Sequence, residues 1–323
     1  MKTSAKVNFL RFVALLVVLG GGGYYLSLQN KMWTVLADVN SDYIFFMAVT
    51  DSLFFLSNAL ILKTLLGAFD VSLSVKESLS ISSLVGVGNL LTTLRGGTIG
   101  KAVYLKRKYT FPYTLFIAAT SAVALINLNI AAIMGALAAL VVGYSYHPLI
   151  PVLLCFFLAV NLLFCLLLFA PGRVDACRWK LFDRLSGIAK GLDLIRRNRM
   201  LVTRISALLF INFLLSTAEL TLSYRALSID ISLAKVILTD SISLFFGVVK
   251  ILPGNLGIYE GSIALSSQIL GVGLREGLLA AGVVRVVSIT VMLVFGLIFG
   301  LRPIIGRHTS KININGIGKK RSE

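Results

Sequence analysis

The chain has 323 residues, of which 57% are hydrophobic and only 14% are charged. Soluble domains are nearer half apolar and about a quarter charged, so this composition argues against a soluble globular enzyme. Lys and Arg number 31 and Asp and Glu number 14, which leaves a formal net charge of +17. In a soluble protein this excess would suggest a nucleic-acid partner, so the positions of the basic residues decide what the charge means.

Eight apolar segments approach or exceed the length that a membrane-spanning helix needs, about 20 residues. They cover residues 12–28, 43–62, 113–142, 149–170, 201–224, 233–252, 258–272 and 277–301. The third is long enough to predict a tilted span or a span with a partly buried extension, and the seventh is short. Residues 78–94 are rich in Ser and Gly and too polar for a lipid-facing helix, so they predict a re-entrant helix.

These segments predict an all-α fold, a polytopic transmembrane helix bundle with about eight spans and additional re-entrant or broken helices. Residues 1–308 form one integral membrane domain in this prediction, and residues 309–323 form a short basic cytoplasmic tail. The basic connection 171–200 joins halves 1–170 and 201–302, which weakly suggests a two-half internal repeat. The first segment is predicted to be a retained helix, because no cleavage-site pattern of a secretory signal follows the glycines at 20–23.

The basic residues are concentrated in alternate connections between the predicted spans. Residues 1–11, 63–112, 171–204 and 302–323 together contain 25 of the 31 Lys and Arg residues. By the positive-inside rule these segments and both termini lie in the cytoplasm, which requires an even number of crossings of the cell inner (plasma) membrane. The charge is therefore a topology signal, and we expect no nucleic-acid partner.

Cysteine and histidine residues predict neither a disulfide framework nor a metal site. Cys155, Cys165 and Cys177 have no paired spacing and no CxxC pattern. His147 and His308 are too few and too far apart for a His-based metal centre. We therefore expect no metal and no cofactor.

A glycine-rich motif follows the predicted re-entrant helix and runs from Asn89 to Lys101. Backbone N–H groups of a glycine turn, next to basic side chains, complement the charge of a phosphate. An ordinary interfacial loop is the alternative. The candidate substrate-binding residues here are Arg95, Gly96, Gly97 and Lys101.

A second motif lies between the sixth and seventh apolar segments. Proline removes a helix donor and glycine permits strained dihedral angles, so the motif predicts a break between two helices, with a carboxylate in the first turn of the second helix. Broken helices at membrane depth occur where the backbone lines a cavity or is buried in protein, and an interfacial loop is again the alternative. The candidate residues are Pro253, Gly254, Gly257 and Glu260.

Ionisable residues also occur inside the apolar segments, where charges are costly and usually face a partner or water. Glu219, Asp240 and Arg285 each lie on a polar stripe at helical spacing. Asp51 and Asn58 share a face of the second segment in the same way. Such stripes predict either a polar cavity or seams of hydrogen bonds between helices. Glu219, Asp240 and Arg285 complete the candidate substrate-binding set, with Glu260, Asp240 or Glu219 as the expected partner of Arg285.

The order of these features resembles the lysylphosphatidylglycerol synthase transmembrane region family, also called flippase-like. Residues 89–108, the basic middle connection and the second motif carry the resemblance, which covers roughly residues 10–302. It implies an integral membrane protein that moves lipids or lipid-linked head groups between leaflets. In bifunctional relatives a soluble aminoacyl-transferase domain accompanies this region. This chain ends shortly after its last apolar segment, so we expect no such domain and no lysyl transfer by this polypeptide.

We therefore predict a flippase-like transporter that moves a phospholipid or polyprenyl-phosphate-linked head group between leaflets. Its expected partners are membrane lipids, either anionic phospholipid or polyprenyl phosphate. The alternative is a non-transporting membrane partner of a lipid or cell-envelope biosynthesis complex, and the sequence leaves a homodimer open as well. A membrane-embedded lipid-modifying enzyme is a weaker hypothesis, because the carboxylates are scattered one per span and suggest no catalytic residues.

Overall fold

A computed structural model describes residues 40–92, 96–143, 146–169, 199–248 and 255–299. The predicted first span at 12–28, the residues Arg95, Pro253 and Gly254, nearly all of the basic connection 171–200 and the tail 309–323 lie outside these residues. The regular structure of the described part is entirely helical. Its helices are α1 Ser41–Gly67, α2 Val75–Leu91, α3 Gly96–Tyr109, α4 Tyr113–Val142, α5 Leu149–Phe169, α6 Arg199–Ala226, α7 Leu233–Phe246, α8 Ile258–Ile269 and α9 Leu274–Phe299.

Five of these helices, α1, α4, α5, α6 and α9, are long and apolar enough to cross a membrane. They coincide with the second, third, fourth, fifth and eighth predicted segments, so the prediction of a polytopic helix bundle is confirmed. Helix α4 is a single helix of 30 residues. At about 1.5 Å per residue it exceeds the thickness of the hydrocarbon core and must tilt or extend beyond it. The chain is a multi-pass membrane protein.

Local sequence signals set where several helices begin. The side chain of Asn40 accepts a hydrogen bond from the Asp42 amide at 2.9 Å and caps α1. Ser74 caps α2 by accepting from the Glu77 amide at 3.1 Å, with Glu77 in the first turn. Pro112 precedes α4. These residues satisfy or remove amide donors that have no partner within the helix.

Helices α2 and α3 form a hairpin that enters the bundle and returns to the same side. Leu73 and Phe111, at its two outer ends, belong to one apolar cluster with Leu66 at the end of α1. The helices have 17 and 14 residues, or about 25 and 21 Å, which is too short to cross the hydrocarbon core. The hairpin agrees with the re-entrant helix that the sequence predicts at residues 78–94.

Helices α7 and α8 form a second hairpin, which opens on the opposite side. Lys235 in the first turn of α7 donates a hydrogen bond to the Leu270 carbonyl, just after α8, at 2.9 Å. The two helices have only 14 and 12 residues, so neither crosses the membrane alone, although the sequence suggests two spans at 233–252 and 258–272. Helix α7 ends at Phe246, with Gly247 as its C-cap. Asn255 and Gly257, just ahead of α8, have positive φ values that are incompatible with a continuous helix.

The hairpins preserve the even number of crossings that the charge pattern requires. Each hairpin enters and leaves on one side, so it adds no net crossing. The five described spans together with the predicted span at 12–28 make six. Six spans with two hairpins are thus as compatible with both termini on one side as eight spans are, and the location of the termini stays a prediction.

Helices α1 and α6 pack antiparallel and form the centre of the bundle. The Asn40 amide donates to the Ala226 carbonyl at 3.3 Å at one end, and the Asn212 amide group donates to Asn58 at 3.3 Å further along. Met47 and Tyr224 are buried between them in a large apolar cluster that also includes α8 and α9. Helix α5 exposes much of its surface as Leu, Val and Phe, as expected of a helix that faces lipid.

Replacing Gly88 with Ala should loosen the first hairpin. A Cβ at Gly88 would lie 2.7 Å from the Gly97 Cα, so one of the two helices must move away. We expect a loss of about 1–3 kcal/mol of stability, measurable as a lower unfolding midpoint in detergent. Gly100→Ala in α3 is the control, because a Cβ there would have no atom within 4 Å. Equal midpoints for the two variants would contradict the close packing of the hairpin.

Candidate functional site

Ionisable side chains from five helices converge on the interior of the bundle. They are Asp51 on α1, Glu219 on α6, Asp240 on α7, Glu260 on α8 and Arg285 on α9. Helical rise places Asp51 about 15 Å and Arg285 about 17 Å along helices of roughly 40 Å, which is close to mid-depth. We refer to these five residues as the interior cluster.

Glu260 and Arg285 form an ion pair within the cluster. Arg285 donates from Nε to Glu260 Oε1 at 2.6 Å, and the Gly257 amide donates to Glu260 Oε2 at 2.7 Å. One carboxylate thus caps the start of α8 and connects that helix to α9. The Arg285 guanidinium also lies 5.4 Å from the centre of the Tyr259 ring. The sequence offers three carboxylates as partners for Arg285, and the fold brings Glu260 to its Nε.

The ion pair is the more accessible part of the interior cluster. The side chains of Arg285 and Glu260 keep 22% and 15% of their surface exposed, whereas Asp240 is only 1% exposed. A charged pair that borders open space can exchange partners with a polar ligand, because its desolvation is incomplete. This pair is therefore where a head group could meet the cluster.

Asp240 connects α7 to α6 through two hydroxyl groups. Ser216 donates to Asp240 Oδ1 at 2.9 Å, and Thr217 donates to Oδ2 at 2.9 Å. Of the two alternatives that the polar stripes allow, Asp240 therefore fits a hydrogen-bonded seam between helices better than the lining of a cavity. Ser216 lies one turn before Glu219 on the same polar stripe, whereas sequence reasoning missed Thr217. Its position next to Ser216 is the one signal that could have indicated it.

Glu219 and Asp51 face each other across the contact of α6 with α1. Ser288 on α9 donates to Glu219 Oε1 at 3.2 Å. Glu219 interacts electrostatically with Asp51 and Asp240, and Tyr259 interacts with four members of the cluster. Sequence reasoning missed Tyr259, although it directly precedes Glu260 in the second motif. The fold thus places three carboxyl groups and one guanidinium within electrostatic range of the Tyr259 phenol, with Asp51 near Glu219.

The first glycine motif is used mainly for packing between α2 and α3. Thr92 Oγ1 accepts a hydrogen bond from the Gly96 amide at 2.9 Å, and Asn89 Oδ1 accepts from the Thr98 amide at 3.1 Å. A Cβ at Gly97 would collide with the Val85 carbonyl. Side chains of the hairpin therefore occupy two of the first three amides of α3, which the sequence suggests for phosphate binding.

Lys101 lies one turn further along α3. It is half-buried, with its ammonium 5.4 Å from the centre of the Phe116 ring on α4. A cation over an aromatic face is stabilised by the ring quadrupole. Lys101 thus places a positive charge on the side of the hairpin that faces α4, whereas Arg95 of the same predicted motif lies outside the described residues.

The end of α2 reaches the depth of the interior cluster. Ser80 donates to the Phe299 carbonyl at 2.5 Å, and Gly86 packs against the Met292 side chain, so α2 and α9 run antiparallel. Both helices rise about 1.5 Å per residue, which brings the end of α2 to roughly the level of Ser288. The first hairpin therefore ends at the same depth as the ion pair.

A separate polar cluster lies at the outer end of the first hairpin. Glu77 Oε1 accepts hydrogen bonds from the hydroxyls of Tyr104 at 2.8 Å and Tyr109 at 2.7 Å, and from Lys108 Nζ at 3.0 Å. Burial alone would raise the pKa of Glu77, but these three donors hold it below its ordinary value. Burial and the adjacent carboxylate raise the pKa of Tyr109 to about 12.

Comparison with known proteins gives one match. The family model described as lysylphosphatidylglycerol synthase TM region matches residues 10–296. The match includes both hairpins and every member of the interior cluster. No curated protein and no solved structure matches the chain.

Acid should loosen the first hairpin through Glu77. Because the folded pKa of Glu77 lies below its ordinary value of 4.5, its stabilisation is present above that pH and is lost as pH falls through the folded value. We expect the hydrogen-exchange protection factors of α2 and α3, which correct for the pH dependence of intrinsic exchange, to fall over this range in the wild type. Glu77→Gln should exchange faster at neutral pH and depend less on acid, whereas exposed Asp230→Asn should behave as the wild type does. Identical pH profiles for wild type and Glu77→Gln would contradict the stabilising contact.

Proposed function

The chain belongs to the lysylphosphatidylglycerol synthase TM region family, and we propose that it moves the head group of an anionic phospholipid or a polyprenyl-phosphate-linked lipid between membrane leaflets. The observation that carries this proposal is the interior cluster, a charged and partly accessible site at mid-depth in an otherwise apolar bundle. We propose transport rather than catalysis, because the cluster suits passage of a charged group.

The proposal rests first on the cost of moving a charged group through hydrocarbon. A charge at the centre of a membrane helix costs about 2.5–3.5 kcal/mol on insertion scales, so such residues are usually paired and functional. A phosphate head group meets the same barrier and needs a polar route. The Arg285 guanidinium and the hydroxyls near Asp240 and Glu219 offer polar partners at the depth where the barrier is highest.

The two hairpins provide a second line of support. Transporters often place their substrate site where discontinuous helices end near the membrane midplane. Helix α8 begins beside the ion pair, and α2 ends at about the same depth from the opposite side. Rocking of one hairpin against the long helices could expose the ion pair to one leaflet and then to the other.

The charge distribution supports an orientation for the route. The end of the bundle that includes the outer end of the first hairpin carries Lys76, Lys106, Arg107 and Lys108. The opposite end of the bundle carries few basic residues. We propose that the basic end and both termini face the cytoplasm of the plasma (inner) membrane. Lys101, which lies five residues from the start of α3 towards its basic outer end, would then meet a lipid phosphate on the cytoplasmic side before Arg285 does.

Substituted cysteines test this orientation. Ser72→Cys lies in the exposed connection before α2, and Asp230→Cys lies in the exposed connection before α7 at the other end. In intact cells an impermeant maleimide should label the second cysteine and spare the first, in a background without the native cysteines. Labelling of Ser72→Cys from outside would overturn the orientation.

A reconstituted vesicle assay with fluorescent lipids of several head groups tests the transport proposal. Glu260→Gln and Arg285→Ala should slow the preferred lipid by about tenfold or more, the effect of losing about 1.4 kcal/mol of stabilisation in transit. Arg225→Ala, which removes an exposed charge at the end of α6, should transport normally. Unfolding midpoints of all variants separate lost transport from lost folding.

Two outcomes of this assay would overturn the proposal. If no head group moves faster than in empty vesicles, the protein is not a transporter of these lipids. If the interior variants work normally but replacing Arg173, Arg178, Arg196 and Arg197 abolishes function in cells, the non-transporting partner of a biosynthetic complex is the better hypothesis.

A further inference from the structure

We propose that Asp51 and Glu219 form a buried proton-binding pair that takes up and releases one proton in each transport cycle. The proton site stands on the geometry of α1, α6 and α9. The coupling of that proton to lipid movement rests on the proposed function.

The pair is buried with few partners to stabilise its charge. Asp51 and Glu219 are only 3% and 8% exposed. Asp51 Oδ2 is buried without a hydrogen-bond partner among the described residues, and Glu219 receives a long bond of 3.2 Å from Ser288. A carboxylate removed from water without compensating donors is so costly that it binds a proton instead.

The groups that face the pair come from each helix around it. Helix α7 contributes Asp240, whose charge repels Glu219, and α8 contributes Tyr259 and Glu260. Helix α9 contributes Arg285, whose Nε is engaged by Glu260. Of the helices beside these, α2 has Lys76 and Glu77 only near its outer end, and α4 has no charged side chain.

Two adjacent carboxyl groups in this field share protons rather than ionise together. Their mutual repulsion and the repulsion from Asp240 both favour the protonated form. The Glu260 carboxylate, in contrast, accepts hydrogen bonds from Arg285 Nε and from the Gly257 amide. The interior cluster therefore contains one ion pair, Glu260 with Arg285, and one pair of carboxyl groups, Asp51 with Glu219.

A polar seam continues from the pair towards the basic end of the bundle. Asn58 and Asn212 lie two turns, about 10 Å, from Asp51 and Glu219 on the same helix faces. Asn212 is 5% exposed, and its Oδ1 is buried without a hydrogen-bond partner among the described residues. Such an atom is a site where a water molecule or a proton donor would bind. The seam offers a proton a path between the pair and the basic side.

Ser288 connects the carboxyl pair of Asp51 and Glu219 to the ion pair of Glu260 and Arg285. Ser288 donates to Glu219 and lies one turn after Arg285 on α9. Uptake of a proton from hydronium converts one carboxylate to a carboxylic acid, releases water and removes one negative charge about one turn of α9 from Arg285. An anionic head group would then approach Arg285 with less repulsion, and loss of the proton would favour its release.

Infrared difference spectroscopy of the protein in nanodiscs tests the proton site without transport. After a pH step, the wild type should show a carboxylic-acid C=O band that shifts in D₂O. Asp51→Asn and Glu219→Gln should each remove or shift this band, and exposed Asp230→Asn should leave it unchanged. If both interior variants keep the wild-type spectrum, the proton-binding pair is refuted. Each variant tests the pair separately, so failure of one to fold leaves the other decisive.

Transport against a pH gradient tests the coupling. With one proton per lipid, a gradient of one pH unit can support about a tenfold difference of lipid between leaflets. Glu219→Gln should lose this asymmetry but keep gradient-independent exchange. Equal transport with and without the gradient, or a response to a sodium gradient instead, would overturn the coupling. Absence of transport of every lipid would refute the proposed function, while the infrared result would still decide the proton site.

Discussion

The hydrocarbon core requires that every backbone polar group entering it finds a partner inside the protein. Long helices meet this requirement along their length, and the remaining problem lies at helix ends within the membrane. At the tip of the first hairpin, Asn89 and Thr92 accept bonds from the amides that begin α3. At the start of α8, Glu260 accepts the Gly257 amide. The same side chains that satisfy the backbone thus determine the shape of the interior.

Glu260 shows how one residue can meet two requirements. Its first oxygen binds the Arg285 guanidinium and its second caps α8, so the ion pair cannot change without affecting the helix start. A head group that competes with Glu260 for Arg285 would therefore change the hydrogen bond that caps the start of α8, at the tip of the second hairpin. This linkage gives a short physical path from ligand binding to movement of a helix.

The four carboxyl groups of the interior cluster differ in how well neighbouring donors compensate their charge. Glu260 is compensated by a cation, and Asp240 by two hydroxyls. Asp51 and Glu219 are more buried than Glu260 and have fewer hydrogen-bond donors. Because ion pairing and desolvation act in opposite directions, neighbouring carboxyl groups can hold different numbers of protons.

Apolar length along the chain was enough to predict a polytopic helix bundle, because the length of a span is a local property of the sequence. The sequence also indicated the helix break before Glu260, since proline and glycine act locally. The tertiary structure was needed to show that residues 233–269 form a hairpin and that Gly97 allows close packing of α2 against α3. It was also needed to identify Glu260 as a partner of Arg285. Those outcomes depend on which helix faces which neighbour at a given depth, and periodicity within one helix carries no such information.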